Sequence, residues 1–285
     1  MNRANLFVIG VNKAGTSWLY YLLRQHPDIF MSDVKELYFF GTEQSGPEDL
    51  AAYHSHFPFD QEYRYYGEAT VMYYQESLVA DEIAAYNPDA RVLAIVRDPV
   101  ERLISQYRYH KQLGIVDEET PLSAVLADNA SKLLRDSHYE QTLPPFAERF
   151  GPDQFRVVSL EEGRADPEAL WAELLSFLDL SSVPCPDPDS KPENPTGSAA
   201  FRQVYRATVQ PVKQHAPGLY QWMLQSRLVR RVKLALLRLL GKADPDPVSP
   251  ALRAQLQDEF APTYEYLQRL GFAYKPDAGS DESAP

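Results

Sequence analysis

The sequence predicts an α/β domain of three layers, a central and mostly parallel sheet flanked by helices, and three observations carry that expectation. Short apolar runs of buried-strand character recur along the chain. Helical patterns lie between them, as in a doubly wound sheet. Polar or glycine punctuation closes each run, and after two of the runs a helix opens.

Leu6 to Val11, Val92 to Val96 and Phe155 to Leu160 are the clearest strands, each rich in β-branched or aromatic residues, and Tyr65 to Thr70 is a less apolar fourth. A first helix is expected from Thr16 to Gln25, with Leu19, Leu22 and Leu23 on its buried face. His26-Pro27 ends it, because the residue before a proline is pushed out of the helical region. A second opens at Asp98-Pro99, where Asp98 can cap, Pro99 can be the first helical residue and Glu101 can complete a capping box. A third, Pro167 to Leu178, again follows an Asp-Pro start, and Pro250 to about Leu270 reads as another helix. Pro184 to Gly197 and Gly241 to Pro250 are loops by composition. Neither flanking piece has its own strand set, so residues 1–275 read as a single domain, and 276–285, small and acidic, as a disordered tail.

A formal net charge of −12 opposes a phosphate backbone and excludes nucleic acid as a partner. The single cysteine, Cys185, excludes an intrachain disulfide and a cysteine-based zinc site. The chain enters an apolar strand almost at once, with no signal peptide, and no window approaches the roughly 20 apolar residues of a membrane span. A cytoplasmic location is the resulting expectation.

Strand, then Gly10-Val11-Asn12-Lys13-Ala14-Gly15-Thr16-Ser17, then helix is the layout of an anion site, in which backbone N–H groups and a helix N-terminus converge. The spacing of Gly10 and Gly15 equals that of a nucleotide triphosphatase loop, and makes the expected fold P-loop-like. Thr16 stands where that signature has its lysine, and the lysine sits earlier, at Lys13. Taken alone, the run is balanced between a phosphate cradle and a glycine turn beside an exposed lysine. Arg97 ends another strand, and Ser105 follows about two helical turns later. An arginine fork and a hydroxyl can bind a phosphate monoester, or the arginine can pair with a carboxylate.

The run "GVNKAGTSWLYYLLRQHP" resembles the 5′-phosphosulfate loop of sulfotransferases that use 3′-phosphoadenosine 5′-phosphosulfate, and "RVLAIVRDPVERLISQY" resembles their 3′-phosphate motif. The likeness is to the branch that holds the heparan sulfate sulfotransferases and many bacterial enzymes. It implies that Lys13, Ala14, Gly15, Thr16 and Ser17 hold the donor's 5′-phosphate, and that Arg97 and Ser105 hold its 3′-phosphate. It also implies that the loop "KPENPTGSAAFR", with Lys191, Thr196, Gly197 and Arg202, closes over the donor. "KELYFF" resembles the segment that carries the catalytic base, here Glu36, and its apolar neighbours predict a raised pKa. His110, five residues after Ser105 on the same predicted helix, is the rival base.

"YGEATVMYY" resembles a further family element. Ala69 and Val71 replace a lysine and a proline there, which removes a cation and counts against a polysaccharide acceptor. Glu68 either shapes the acceptor pocket or pairs with an arginine. Tyr38, Tyr73 and Tyr139 complete the predicted pocket, and the aromatic-rich stretch from Tyr53 to Tyr74 points to a partly apolar acceptor. The implied reaction is in-line sulfuryl transfer to a hydroxyl, less readily an amine, on a small molecule, lipid, sugar or carrier-bound chain, with no metal required. The basic, apolar stretch 226–242 is either a packed helix with solvated arginines or an amphipathic contact with a membrane or lipid-like acceptor. Two other classes stay open, an ATP-using kinase and a nucleotide-binding scaffold without chemistry. Thr16 in the lysine position and the lack of a recognisable magnesium acid disfavour the first, and Lys13 with Glu36 disfavours the second.

Overall fold

The apolar run at Leu6 becomes the central strand of a sheet in the computed structural model, which describes residues 3–42, 47–187 and 248–274. Within them β1 (Leu6–Gly10), β2 (Ile29–Met31), β3 (Tyr65–Ala69), β4 (Arg91–Val96) and β5 (Phe155–Ser159) form a five-stranded sheet in the order β2-β3-β1-β4-β5. Each pairing is parallel; Phe7 lies opposite Glu68 on one side and Val92 on the other. The four expected strands are present within a residue or two of their predicted ends. β2 was not expected, because a three-residue strand is shorter than any window in which periodicity shows.

Strand side chains alternate between two apolar layers. Phe7, Ile9, Val92, Ala94 and Val96 share one core with α3 (Leu78–Tyr86) and α7 (Pro144–Gln154). Leu6, Val8, Leu93 and Ile95 share the other with α1 (Thr16–Leu23) and α9 (Pro167–Phe177). These two helix layers and the sheet are the predicted three-layer arrangement, and further helices between them in sequence are α2 (Pro47–His54), α6 (Tyr139–Thr142) and α8 (Leu160–Ala165). Asp166 caps α9 by accepting from the Ala169 amide at 2.9 Å, with Pro167 as the first helical residue. The expected helix from Pro250 is two, α10 (Pro250–Glu259) and α11 (Ala261–Arg269), broken at Phe260 with a proline in the first turn of the second.

The chain divides into two units that interleave in sequence. The first, running to Arg102 and continuing through 134–187 and 256–274, holds the whole sheet. The second holds, among described residues, 103–133 and 248–255. It includes most of α4 (Pro99–Leu113) and of α5 (Leu122–Arg135). In it the Tyr107 hydroxyl donates to Thr120 O at 2.7 Å and Lys111 Nζ to Glu118 O at 2.6 Å, tying α4 to the loop that follows it. Lys191, Thr196, Gly197, Arg202, the basic stretch 226–242 and the tail 276–285 lie outside the described residues.

Because the strands are parallel, the loops that follow them gather at one edge of the sheet. The chain crosses from one side of β1 to the other after β3, which leaves a switch point at that edge. Open α/β sheets bind ligands at such points.

Candidate active site

The loop after β1 turns back on itself: Val11 N–H donates to Ile95 O at 2.9 Å and Ala14 N–H to Val11 O at 3.1 Å. Lys13 sits in the left-handed region at φ 70° and Gly15 at φ 95°. A Cβ on Gly15 would lie 2.6 Å from Leu160 Cδ1, so that leucine end would have to shift, and the left-handed φ favours glycine whatever the space. Gly15 caps α1 without a side-chain hydrogen bond, and no acidic residue occupies the helix's first turn. The amide donors of that turn and the positive end of the helix are thus left to an anion. Ala14 and Thr16 are buried beneath the loop, and Ser17 is half-buried.

Cationic charge converges on the same loop. Lys13 has its pKa lowered to about 8, first by burial and then by the charges of Arg97, Arg102 and Lys35. Arg102 is fully buried, with its Nε donating to Ser137 Oγ and its Nη1 3.9 Å from the Asp136 carboxylate. Arg97 lies between two carboxylates at long range, Glu101 at 3.6 Å and Glu161 at 3.8 Å. Neither is an ideal partner, and a phosphate dianion offers this guanidinium a shorter, bidentate contact. Asp98 caps α4 as expected, with Oδ1 accepting from the Glu101 amide at 2.9 Å, while its Oδ2 accepts from the Tyr264 hydroxyl.

Glu36 stands in the loop after β2, at the same edge of the sheet. Its Oε2 accepts from the Val71 amide at 2.8 Å, and its Oε1 is paired with the ammonium of Lys35. The predicted apolar surround is not what the carboxylate meets. Phe39 and Phe40 turn into the core and leave Glu36 with polar partners. The strongly shifted carboxyl is Glu68, fully buried and raised to about 7 by loss of solvation. It pairs with no arginine among the described residues. Three hydroxyls reach it, Tyr53 at 2.7 Å, Thr70 at 2.8 Å and Tyr73 at 3.3 Å.

The predicted acceptor pocket is largely core. Tyr53, Phe57, Tyr66, Tyr73 and Tyr74 pack in the same apolar layer as Phe7, and Phe39 stacks on Tyr53 at 4.3 Å. Tyr139 is fully buried, its hydroxyl donating to Arg97 O at 2.9 Å, so it fixes the end of β4 and does not face an acceptor. Tyr38 alone of the four pocket candidates is exposed, at 45%, and it too has a positive φ, 52°. Ser105 and His110 lie on the part of α4 that belongs to the second unit. Ser105 is half-buried, and His110 Nε2 is 2.8 Å from Gln106 Nε2.

The family model for the sulfotransferase domain matches residues 3–187. The chain belongs to the sulfotransferase domain family. It is 30% identical over 182 residues to heparan sulfate glucosamine 3-O-sulfotransferase 3A1 of Mus musculus, covering 62% of this chain and 46% of that protein. It is 33% identical over 119 residues to the membrane-associated sulfotransferase kil1 of Dictyostelium discoideum, covering 41% of this chain and 25% of that protein. The chain thus spans about half or less of the length of these curated relatives. The crystal structure of a sulfotransferase from Alicyclobacillus acidocaldarius superposes with a TM-score of 0.59 at 26% identity, covering 78% of this chain and 97% of that one.

Against that family, this sulfotransferase chain holds groups that sequence reading passed over. Arg102 was hidden because a cation inside an amphipathic helix pattern looks solvated, although it follows Arg97 by five residues and flanks the buried Leu103. In the sequence Thr70 reads only as a strand end and as part of the "YGEATVMYY" element, without a role of its own, and Glu161 carries no role there. Among the described residues, no helix is long and apolar enough to cross a membrane.

Proposed function

We propose that this chain transfers a sulfuryl group from 3′-phosphoadenosine 5′-phosphosulfate to a hydroxyl acceptor. The observation that carries the reading is the Gly10–Ser17 loop with its buried Lys13 at the end of β1, and the Glu36 carboxylate, paired with Lys35, in the loop after β2 at the same edge of the sheet. A carboxylate able to take a proton thereby stands at the sheet edge that carries a cationic, left-handed anion loop. The donor supplies an activated sulfur–oxygen bond. As the acceptor oxygen bonds to sulfur and the bond from sulfur to the phosphate oxygen breaks, Glu36 takes the hydroxyl proton. Lys13, with Arg97 and Arg102 behind it, opposes the negative charge left on the phosphate. The amides at the start of α1 would hold that phosphate, within the loop from Lys13 to Ser17, and Arg97 would hold the one at the other end of the ribose. A reducing, cytoplasmic setting is part of the same reading and is consistent with the lone Cys185. The acceptor class stays broad: a hydroxyl on a small molecule, lipid, sugar or carrier-bound chain. Tyr53, Phe57, Tyr65, Tyr66, Tyr73 and Tyr74 are buried, whereas Tyr38, two residues from Glu36, is an exposed aromatic.

The test is transfer of radiolabelled sulfate from the donor across a panel of such hydroxyls, alongside calorimetry with adenosine 3′,5′-bisphosphate and with ATP. Label transfer and bisphosphate binding are expected. Glu36→Gln abolishes transfer and leaves bisphosphate affinity within about twofold, since the lost group acts on the proton and not on the donor. Tight ATP binding without bisphosphate binding, or full turnover by Glu36→Gln, overturns the reading.

A further inference from the structure

Six consecutive amides, Glu36 to Gly41, are taken up by groups from β3 and the chain that follows it. Glu36 N–H donates to Ala69 O at 2.9 Å. Leu37 N–H donates to Thr70 Oγ1 at 3.1 Å and Tyr38 N–H, more loosely, to the same oxygen at 3.5 Å. Phe39 and Phe40 donate to the Tyr73 hydroxyl at 3.0 and 3.3 Å. Gly41 N–H donates to Glu82 Oε2 at 2.6 Å. Two residues in this run, Glu36 at φ 69° and Tyr38 at φ 52°, occupy the left-handed region without being glycine. Such conformations are costly for side-chain-bearing residues and persist where the surroundings hold them.

The two hydroxyls at the centre of this hold are themselves oriented. A hydroxyl has one proton and two lone pairs. Thr70 spends its proton on Glu68 Oε2 at 2.8 Å and Tyr73 spends its own on Glu68 Oε1 at 3.3 Å, so both turn their lone pairs toward the amides. Tyr53 donates to Glu68 Oε1 at 2.7 Å and fixes the carboxylate from the other side. Glu68 has no solvent exposure and no described ion-pair partner, so it is not placed to take a proton from an acceptor. A charge-bearing group buried among aromatic rings is expensive to keep. Its three contacts all serve to orient hydroxyls.

We infer that Glu68 is a positioning residue for sulfuryl transfer, setting the Thr70 and Tyr73 hydroxyls so that they hold the strained backbone that presents Glu36 and Tyr38 to the acceptor. The inference rests on the reading of Glu36 as the base. Its physical part, the hold on the loop, can be measured without an acceptor. Hydrogen exchange on the full chain would follow the amides of residues 37–40 in wild type, Thr70→Val, Thr70→Ser, Tyr73→Phe and Glu68→Gln. Thr70→Val is nearly isosteric, so it keeps the test alive should Glu68→Gln fail to fold.

Exchange at Leu37 and Tyr38 is expected to speed up in Thr70→Val and Glu68→Gln and to return to the wild-type rate in Thr70→Ser. At Phe39 and Phe40 it should speed up in Tyr73→Phe. Turnover with the best acceptor of the hydroxyl panel should fall about 10- to 100-fold in kcat for Thr70→Val, as for a misplaced catalytic group. Donor KM and bisphosphate affinity should be unchanged, and Thr70→Ser should recover kcat. Unaltered exchange at 37–40 in Thr70→Val and Glu68→Gln overturns the inference, as does faster exchange with wild-type kcat. Retained turnover in Glu36→Gln would instead remove the base reading, and the exchange arm would still decide whether Glu68 holds the loop.

Discussion

Lys13 is a lysine poised to lose its proton unless an anion arrives. Burial and three neighbouring cations bring its pKa to about 8 in the free protein. A bound phosphate reverses both causes, by offering an opposite charge and by replacing lost hydration. If binding restores the ordinary value of 10.5, the arithmetic follows directly. At pH 7 the free lysine is already about nine-tenths protonated, and binding takes up only about 0.1 proton. At pH 9 the free lysine is about one-tenth protonated, and binding takes up about 0.9 proton. Both phosphates of adenosine 3′,5′-bisphosphate, with second pKa values near 6, are about nine-tenths doubly ionised at pH 7 and fully so at pH 9, so the pH 9 measurement reports Lys13. Calorimetry in paired buffers of different ionisation enthalpy reads this number. The affinity should change little between pH 7 and 8 and weaken about tenfold per unit above pH 8. Lys13→Met removes the uptake and flattens the alkaline limb. Wild-type uptake below about 0.2 proton at pH 9 refutes the reasoning, as does the same uptake in Lys13→Met.

Two further outcomes test the surrounding structure. Gly15→Ala places a Cβ 2.6 Å from Leu160 Cδ1 at a φ of 95°, and should cost about 1–3 kcal/mol in urea unfolding as well as weaken bisphosphate binding. Leu160→Ala in the same chain should relieve the clash but not the conformational cost, so full recovery of stability would show that φ does not matter there. Glu68, raised from 4.5 to about 7, binds its proton more tightly folded than unfolded. Its contribution to stability is therefore complete below pH 4.5 and is lost as pH rises through 7, a change of about 3 kcal/mol. Glu68→Gln should remove that slope from urea midpoints measured between pH 4.5 and 8, and an unchanged slope would assign it to other groups.

How much of this was legible in the sequence depended on whether the deciding contacts were local. β1 and β4 showed because a strand buried on both faces is an apolar run, β5 because Phe155, Val157 and Val158 keep strand character around Arg156, and α9 because Asp166 and Pro167 carry their own start signal. The Gly10–Ser17 loop showed because a turn, a left-handed glycine and a helix start are adjacent in the chain. The aromatic stretch misled because composition says nothing of direction. Tyr53, Tyr66 and Tyr73 look like pocket lining until β3 fixes which face of the sheet they share with Phe7. Tyr139 misled in the same way, since only the fold brings its hydroxyl to the carbonyl of Arg97, 42 positions away.

The Glu36 loop was the hardest case, and its physics says why. Its sequence, a glutamate before two phenylalanines, predicts an apolar surround for the carboxylate. What decides the outcome is an amide ladder supplied from 30 or more positions downstream, by Thr70 and Tyr73. Those hydroxyls draw both aromatic rings inward and leave Glu36 facing Lys35 and the Val71 amide. The apolar environment that was expected at Glu36 is found instead at Glu68, on the strand beneath. In the proposed mechanism the two carboxylates would divide the work by surroundings: the buried one would orient the hydroxyls that hold the backbone, and the half-exposed one would meet the acceptor.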